Sequence, residues 1–167
     1  MNQDTIIKLA LERGIKLDSQ KADRMLLYTE LIFKTNKKFN ITGIKCVEEI
    51  AKTLIIGSID PFRKKNVPRG TFFADIGSGA GIPGIPFAIF FEQTKGVLIE
   101  SNRKKADFIQ SVIKDLKIEN ISVICERAED VARKASYRES FSLCLARAFA
   151  HLYVTLEIGS SFLDHGG

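Results

Sequence analysis

The sequence DIGSGAGIPGIP occupies residues 75–86 and continues the apolar run TFFADIG that begins at Thr71. Four glycines fall within the eight positions 77–84. Glycine is needed where a loop turns sharply into a helix and where backbone must approach a ligand without an intervening Cβ. Between a short strand and a helix, this segment predicts a ligand-binding loop, with a generic glycine-rich turn as the alternative.

The loop discriminates between ligand classes. Residues 79–84 match the dinucleotide pattern G-x-G-x-x-G, but Pro83 and Pro86 remove backbone N–H groups that a pyrophosphate would need at the helix start. No Gly-Lys-Ser or Gly-Lys-Thr follows, which excludes a Walker-type loop. The sequence therefore favours a nucleoside ligand without phosphates, such as S-adenosylmethionine, over the cofactor of a nicotinamide-dependent oxidoreductase.

Downstream of the loop, short apolar runs alternate with helical segments. The runs are GVLIES, ISVICE and FSLCLA, and the clearest helix is predicted over residues 101–116. A β-α-β-α-β-α-β order predicts an α/β fold whose parallel sheet is covered on both faces, with right-handed crossovers. Ligands of such sheets bind at the carboxyl ends of the strands.

Several polar side chains are expected at that edge of the sheet. Glu100 ends the second run, 21 residues after Gly79, where its carboxylate can accept hydrogen bonds from both hydroxyls of a ribose. The third run delivers the sequence RAED at 127–130, which could meet an adenine through backbone groups and a carboxylate. The alternative for Glu100 is a solvated carboxylate at a helix start.

Arg127 and Arg147 are the arginines at the ends of predicted strands. A guanidinium can hold a guanine edge, a phosphate or the carboxylate of a methionine. Both arginines are therefore candidate binding residues. Strand-end salt bridges are the alternative.

The first 60 residues have helical periodicity. A short helix is expected from Asp4 to Arg13, ending at Gly14, and a second is expected to begin with Asp18 or Ser19 as its N-cap. A third follows the apolar spacing from Val47 to Ser58. Residues 63–70 are polar and contain Pro and Gly, and are expected to form a connection.

The positive charge is concentrated in the N-terminal part. The net charge is +5, yet residues 1–70 carry 14 Lys and Arg against 8 Asp and Glu, whereas residues 71–167 carry 11 against 12. Such asymmetry is typical of a polyanion-binding surface beside a neutral core, although solvated lysines would also produce it. The candidate contacts to an RNA backbone are Lys37, Lys38, Lys45, Lys64 and Lys65.

Other features of the sequence exclude whole classes of function. The longest apolar stretch, residues 80–91, is too short to cross a bilayer, and the N-terminus lacks the pattern of a secretion signal, so a cytoplasmic protein is expected. Cys46, Cys125 and Cys144 are odd in number and have no C-x-x-C spacing, which predicts buried free thiols and no metal site. We expect a monomer.

Five segments together resemble one family, the RsmG (GidB) methyltransferases, which modify a guanine of 16S ribosomal RNA at ring position N7. The segments are TNKKFNITGI (35–44), FADIGSGAGIPGIP (73–86), LIESNRKKADFI (98–109), LKIENISVICERAED (116–130) and LARAFAHL (145–152). The resemblance implies a Rossmann-like class I methyltransferase that uses S-adenosylmethionine and acts on 16S ribosomal RNA or the small ribosomal subunit.

Carried over residue by residue, the resemblance assigns two sets of contacts. Gly77, Ile82, Ala128, Glu129 and Arg147 are expected to contact S-adenosylmethionine, with Glu100 at the ribose, and Gly79 joins them from the loop pattern. Asn40 is expected on the RNA side. Lys45 and Arg127, singled out above by charge and by position at a strand end, are expected there with it.

The resemblance also implies a domain plan and a mechanism. Residues 1–167 are expected to form a single methyltransferase domain, with an RNA-facing helical cap at 1–62 and an incomplete Rossmann-like core at 71–167. The family's sheet continues for about three more strands, so the C-terminal strands are expected to be missing from this chain. The N7 atom of guanine carries no proton, so no catalytic base is expected.

One departure from the family keeps an alternative open. Where the family tends to have His-x-x-Asp-Ser on the third helix, this chain has LIIGS at 54–58. A non-catalytic RNA-binding or regulatory relative is therefore the main alternative to an enzyme.

Overall fold

The computed structural model describes all 167 residues and contains a four-stranded parallel sheet in the order β3-β2-β1-β4. The strands are β1 (Phe72–Ile76), β2 (Lys95–Ile99), β3 (Ile121–Ile124) and β4 (Leu143–Ala146). Each overlaps the apolar run that predicted it, and β2 begins one residue before its run. Because the chain returns to the other side of β1 to form β4, the strand order reverses between β1 and β4, which is where ligands bind in open α/β sheets.

The helices occupy the N-terminal third and the connections between strands. They are α1 (Gln3–Leu11), α2 (Ser19–Asn36), α3 (Val47–Glu49), α4 (Gly57–Ile59), α5 (Gly84–Phe90), α6 (Arg103–Asp115), α7 (Ala128–Val131) and α8 (Leu152–Ser160). A π-helix, Ile50–Ile56, joins α3 to α4, and a 3-10 turn, Asp60–Phe62, follows α4. The expected α/β architecture with helices at the N-terminus is confirmed.

The helix ends follow the predicted capping chemistry. The Asp18 side chain accepts a hydrogen bond from the backbone N–H of Lys21 at 2.8 Å, which satisfies a free donor at the start of α2. Gly14 lies just past α1 with φ of 70°, a left-handed conformation that glycine adopts without strain.

The expected third helix is only partly correct. The predicted apolar face is buried, including Ile50, Leu54 and Ile55, but the backbone from Ile50 to Ile56 has the wider π-helical turn. Apolar spacing does not distinguish the two turns, because both bring residues three to five apart onto one face.

Apolar cores lie on both faces of the sheet. On one face, Phe73 and Leu98 belong to a cluster that includes residues of α1, α2, the π-helix, α5 and α6. On the other face, Ala74, Val97 and Ile99 pack with α7 and with Phe162 beyond α8. The N-terminal helices therefore share the larger core with the sheet, which fixes their position relative to the strand ends.

The prediction that the cysteine thiols are buried was wrong. Cys46 is exposed, whereas Cys125 and Cys144 are half-buried, and all three are free thiols. Cys144 lies on β4, an edge strand of the sheet, where an apolar run is covered less completely than in a central strand. The structure has no group of three or more His, Cys, Asp or Glu side chains that could hold a metal ion. No helix has the length and apolar character needed to span a membrane.

Candidate functional site

A cavity of about 240 Å³ opens at the carboxyl ends of β1, β2 and β4. Its walls come from the glycine loop, the end of β2, the start of α6, the segment after β4 and the N-terminal helical part. The lining residues are Ile41, Thr42, Leu54, Gly77, Ser78, Gly79, Ala80, Ile82, Glu100, Lys105, Arg147 and Ala148. The position is the one expected from the order of the strands.

Most of the predicted cofactor residues come together in this cavity. Gly77, Gly79, Ile82, Glu100 and Arg147 all line it. Two others lie elsewhere. Ala128 is buried in the core on the opposite face of the sheet, and Glu129 is exposed in the first turn of α7. Their contact with a cofactor stays a prediction.

Glycine is required at different positions of the loop for different physical reasons. A Cβ at Gly77 would overlap the Phe149 ring, and one at Gly84 would lie 2.6 Å from Oδ2 of Asp75. At Gly79, with φ of +59°, the nearest atom to an added Cβ is a backbone oxygen 3.9 Å away. Packing therefore explains Gly77 and Gly84, whereas Gly79 presents bare backbone to the cavity.

Glu100 connects the glycine loop to the start of α6. Its Oε2 accepts a hydrogen bond from the backbone N–H of Gly79 at 2.7 Å, and its Oε1 accepts one from Asn102 N–H at 2.8 Å. The residue is only 7% exposed. A carboxylate has about four acceptor sites, so it can hold both backbone groups and still accept from a ligand hydroxyl.

Asp75 is a buried carboxyl group at the base of the loop. Its Oδ2 accepts a hydrogen bond from Gly84 N–H at 2.9 Å, whereas Oδ1 is buried without a hydrogen-bond partner. Burial and, to a lesser extent, the nearby charge of Glu100 raise the pKa of Asp75, the hydrogen bonds of Ser78 and Gly84 lower it, and the resulting pKa is about 7. The group thus titrates near neutral pH.

Arg147 is held at the cavity wall by the π-helix. Its Nη1 donates to the backbone oxygen of Thr53 at 3.1 Å and to Oγ of Ser58 at 3.4 Å. The N–H of Gly57 bonds to the oxygen of Lys52, five residues earlier, rather than to Thr53 as in an α-helix. The wider turn therefore leaves the Thr53 oxygen open to the guanidinium.

The predicted RNA-side residues lie on two different elements. Asn40 and Lys45 are exposed on the loop after α2, which also contributes Ile41 and Thr42 to the cavity. Arg127 is exposed at the N-cap of α7 and does not line the cavity. The loop that carries Asn40 and Lys45 thus borders the cavity through Ile41 and Thr42, whereas Arg127 lies outside its lining.

The Asn36 side chain shapes the loop that carries Asn40. Its Oδ1 accepts hydrogen bonds from the N–H groups of Ile41 and Thr42, and its Nδ2 donates to the oxygen of Ile44. Side-chain bonds of this kind replace the backbone pairing that an irregular segment lacks. The loop is therefore a defined part of the cavity wall.

Sequence reasoning missed three residues at this site: Asp75 and Tyr28, which bond to the loop, and Lys105, which lines the cavity. Asp75 stood within the quoted motif as a charged residue in an apolar strand, which was an available signal. Tyr28 and Lys105 had no such signal, because one lies on the apolar face of a helix and the other among several exposed cations.

The sequence of the chain matches a family model over residues 21–167, described as rRNA small subunit methyltransferase G. The chain belongs to this family. Curated relatives named ribosomal RNA small subunit methyltransferase G agree: the protein of Clostridium botulinum (strain Eklund 17B) is 36% identical over 98% of this chain, and that of Desulfitobacterium hafniense is 35% identical over 99%. Each match covers 69% of the relative's own length, and 65% for the relative from Dictyoglomus thermophilum.

Solved structures support the fold. A putative protein-L-isoaspartate O-methyltransferase from Plasmodium falciparum, in complex with S-adenosyl-L-homocysteine, matches with a TM-score of 0.59 at 18% identity, covering 95% of this chain and 79% of its own. Coclaurine N-methyltransferase matches with a TM-score of 0.57 at 14% identity, covering 100% of this chain and 57% of its own. The predicted Rossmann-like methyltransferase fold is confirmed.

The first prediction concerns the pH dependence of stability. The pKa of Asp75 is raised from about 3.9 in the unfolded chain to about 7 in the fold. Its contribution to stability is therefore present below about pH 4 and is lost as pH rises to about 7. In Asp75→Asn this loss is absent, so the stability of the variant relative to the parent chain should rise between pH 5 and 7 by up to about 1.4 kcal/mol per pH unit.

Urea unfolding of both chains at pH 5, 6, 7 and 8 measures this difference. Asp107→Asn is the matched control, because it removes the same type of charge from an exposed position on α6. A stability difference between Asp75→Asn and the parent that does not change with pH would contradict the raised pKa.

Proposed function

We propose that this chain binds S-adenosylmethionine in the cavity at the strand ends and methylates the N7 atom of a guanine in 16S ribosomal RNA, as a cytoplasmic enzyme of the small-subunit methyltransferase G family. The observation that carries the proposal is the shared wall of the cavity. The glycine loop and Glu100 form one side, and the loop that carries Asn40 and Lys45 forms the other. Candidate cofactor residues and the loop that carries two candidate RNA residues thus border one space.

The chemistry of the cavity fits this cofactor. Gly79 allows a ligand to approach the backbone, and Glu100 retains acceptor capacity for ribose hydroxyls. Arg147 supplies donors beyond the two bonds that it already makes, which suits the carboxylate of the methionine part. Pro83 and Pro86 leave fewer N–H groups at the start of α5 than a pyrophosphate requires.

The roles of the chain's residues in methyl transfer are positional. S-adenosylmethionine supplies a methyl group activated by its positively charged sulfur. Glu100 and the glycine loop fix the nucleoside end, Arg147 fixes the other end, and Ile82 and Leu54 contribute apolar walls that exclude water. The guanine N7 presents a lone pair and carries no proton, so no side chain is needed to remove one.

The surface beside the cavity suits an RNA backbone. Lys37 and Lys45 border a cleft with Phe33 and Asn36, and Nζ of Lys37 lies 4.5 Å from the centre of the Phe33 ring. Lys38 is exposed next to them. Three cations on the segment that also contributes Ile41 and Thr42 to the cavity would hold phosphates while a base enters.

The second prediction tests the cofactor. Isothermal titration calorimetry should show binding of S-adenosylhomocysteine that NAD does not compete for. Glu100→Gln should weaken this binding at least about tenfold, because an amide cannot accept from both Gly79 and Asn102 with its two terminal atoms. Glu119→Gln is the matched control, since Glu119 is exposed beyond the opposite ends of the strands and should bind as the parent does. Tight NAD binding with no response to S-adenosylhomocysteine would refute the assignment.

The third prediction tests the RNA surface. RNA affinity falls as salt concentration rises, and replacing Lys37, Lys38 and Lys45 together by Gln should make this fall less steep. The magnitude of the slope of log affinity against log salt should decrease by about 2 to 3, because about 0.9 counterions are released per phosphate contact. A control triple variant at Lys95, Lys114 and Lys117 removes the same charge from other surfaces and should leave the slope unchanged. If only the control variant alters the slope, the RNA surface lies elsewhere.

The fourth prediction tests the reaction. Single-turnover assays with saturating cofactor and small subunits from cells that lack the modification should yield N7-methylguanine in 16S ribosomal RNA. The rate should vary less than about threefold from pH 6 to 9, because no group in the transfer loses a proton. A rise of tenfold that disappears in His151→Gln would identify a base. Retained binding of cofactor and RNA without any transfer would instead identify a non-catalytic relative.

A further inference from the structure

Four side-chain hydrogen bonds hold the backbone around the glycine loop. Glu100 accepts from Gly79 N–H, the Ser78 hydroxyl donates to the oxygen of Asp75, and the Asp75 carboxylate accepts from Gly84 N–H. These three bonds come from the strand ends and from the loop itself. The fourth comes from the N-terminal helical part, where the Tyr28 hydroxyl donates to the oxygen of Ala80.

Tyr28 is a fully buried residue of the larger core, and its hydroxyl is directed at the glycine loop. Its hydroxyl lies 2.5 Å from the oxygen of Ala80, and the residue is 0% exposed. The hydroxyl also lies only 3.0 Å from the position that a Cβ of Gly81 would occupy. The loop therefore needs glycine at position 81 partly because the tyrosine hydroxyl fills the space beside it.

We propose that Tyr28 is a positioning residue for the cofactor loop, so that helix α2 sets the conformation of the backbone that binds S-adenosylmethionine. The inference rests on the proposed cofactor for its binding readout, but not for its structural one. Gly77, Gly79 and Gly81 all adopt positive φ. Because glycine has more backbone freedom than other residues, a loop with three of them depends on hydrogen bonds from outside it to hold one defined shape. Ala80 lies between Gly79 and Gly81, at the centre of this segment.

The Tyr28 hydroxyl is the donor, and the Ala80 oxygen the acceptor, of this hydrogen bond at all working pH values. Burial, together with the nearby charge of Asp75, raises the pKa of Tyr28 well above its usual range. The hydroxyl therefore stays protonated and donates, and the loop oxygen accepts. Without this donor, the Ala80 oxygen would be buried with one partner fewer, and loop shapes that turn it toward solvent would become more populated.

The test compares two variants of α2 that each remove one fully buried hydroxyl. Tyr28→Phe removes the donor to Ala80, whereas Thr29→Val removes a donor to the oxygen of Met25 within the helix itself. Hydrogen exchange of the cofactor-free chain should rise about tenfold in peptides covering residues 77–84 for Tyr28→Phe and should not change there for Thr29→Val. The dissociation constant for S-adenosylhomocysteine should rise about tenfold in Tyr28→Phe alone, the effect of losing one hydrogen bond. Melting temperatures show that both variants fold.

The outcomes separate this inference from the proposed function. If loop exchange and ligand affinity in Tyr28→Phe equal those of Thr29→Val, Tyr28 is an ordinary core residue and the inference is wrong. If the parent chain does not bind S-adenosylhomocysteine, the proposed cofactor is wrong, while increased loop exchange in Tyr28→Phe still supports the positioning role.

Discussion

The hydrogen bonds that Glu100 accepts from the backbone N–H groups of Gly79 and Asn102 are the constraint on which the rest of the site depends. They join the loop after β1 to the start of α6 across the carboxyl ends of adjacent strands. Because the carboxylate is almost fully buried, losing either bond would leave a charged acceptor or a backbone donor unsatisfied. The cavity keeps its shape because alternatives without these bonds have higher free energy.

Helix α2 extends this constraint to the RNA side. Tyr28 bonds to the glycine loop, and Asn36, two turns later on the same helix, holds the loop that contains Asn40 and Lys45. One rigid element thus contacts both loops that line the cavity. The N-terminal residues are therefore structural parts of the candidate cofactor site, although the charge pattern alone indicated only an RNA-facing cap.

Local patterns predicted the strands well because each strand of the parallel sheet overlaps an apolar run, and the central strands β1 and β2 are buried along most of their length. They also predicted that Glu100 and Arg147 would meet the loop, since the ends of parallel strands lie at one edge. They did not predict the support from Tyr28 or the position of Ala128, because these depend on how the helices pack and not on any local pattern. The π-helical turn could not be predicted from local patterns either, because it changes the carbonyl to which each N–H group bonds without changing which residues are buried.

Gly57 belongs to the segment LIIGS (54–58), where the family tends to have His-x-x-Asp-Ser, and it lies beside an arginine that already has a carboxylate partner. Arg13 forms an ion pair with Asp60 at 3.2 Å, and a Cβ added at Gly57 would lie 3.6 Å from Nη1 of Arg13. The aspartate that the family tends to have at position 57 would therefore face Arg13, where Asp60 now supplies the negative charge. Gly57 thus leaves the electrostatic partner of Arg13 in place and keeps a carboxylate away from Arg147, which lines a separate cavity together with Arg13 and Gly57. Arg147 then bonds only to neutral protein acceptors, Thr53 and Ser58, and keeps its full charge available for an anionic ligand.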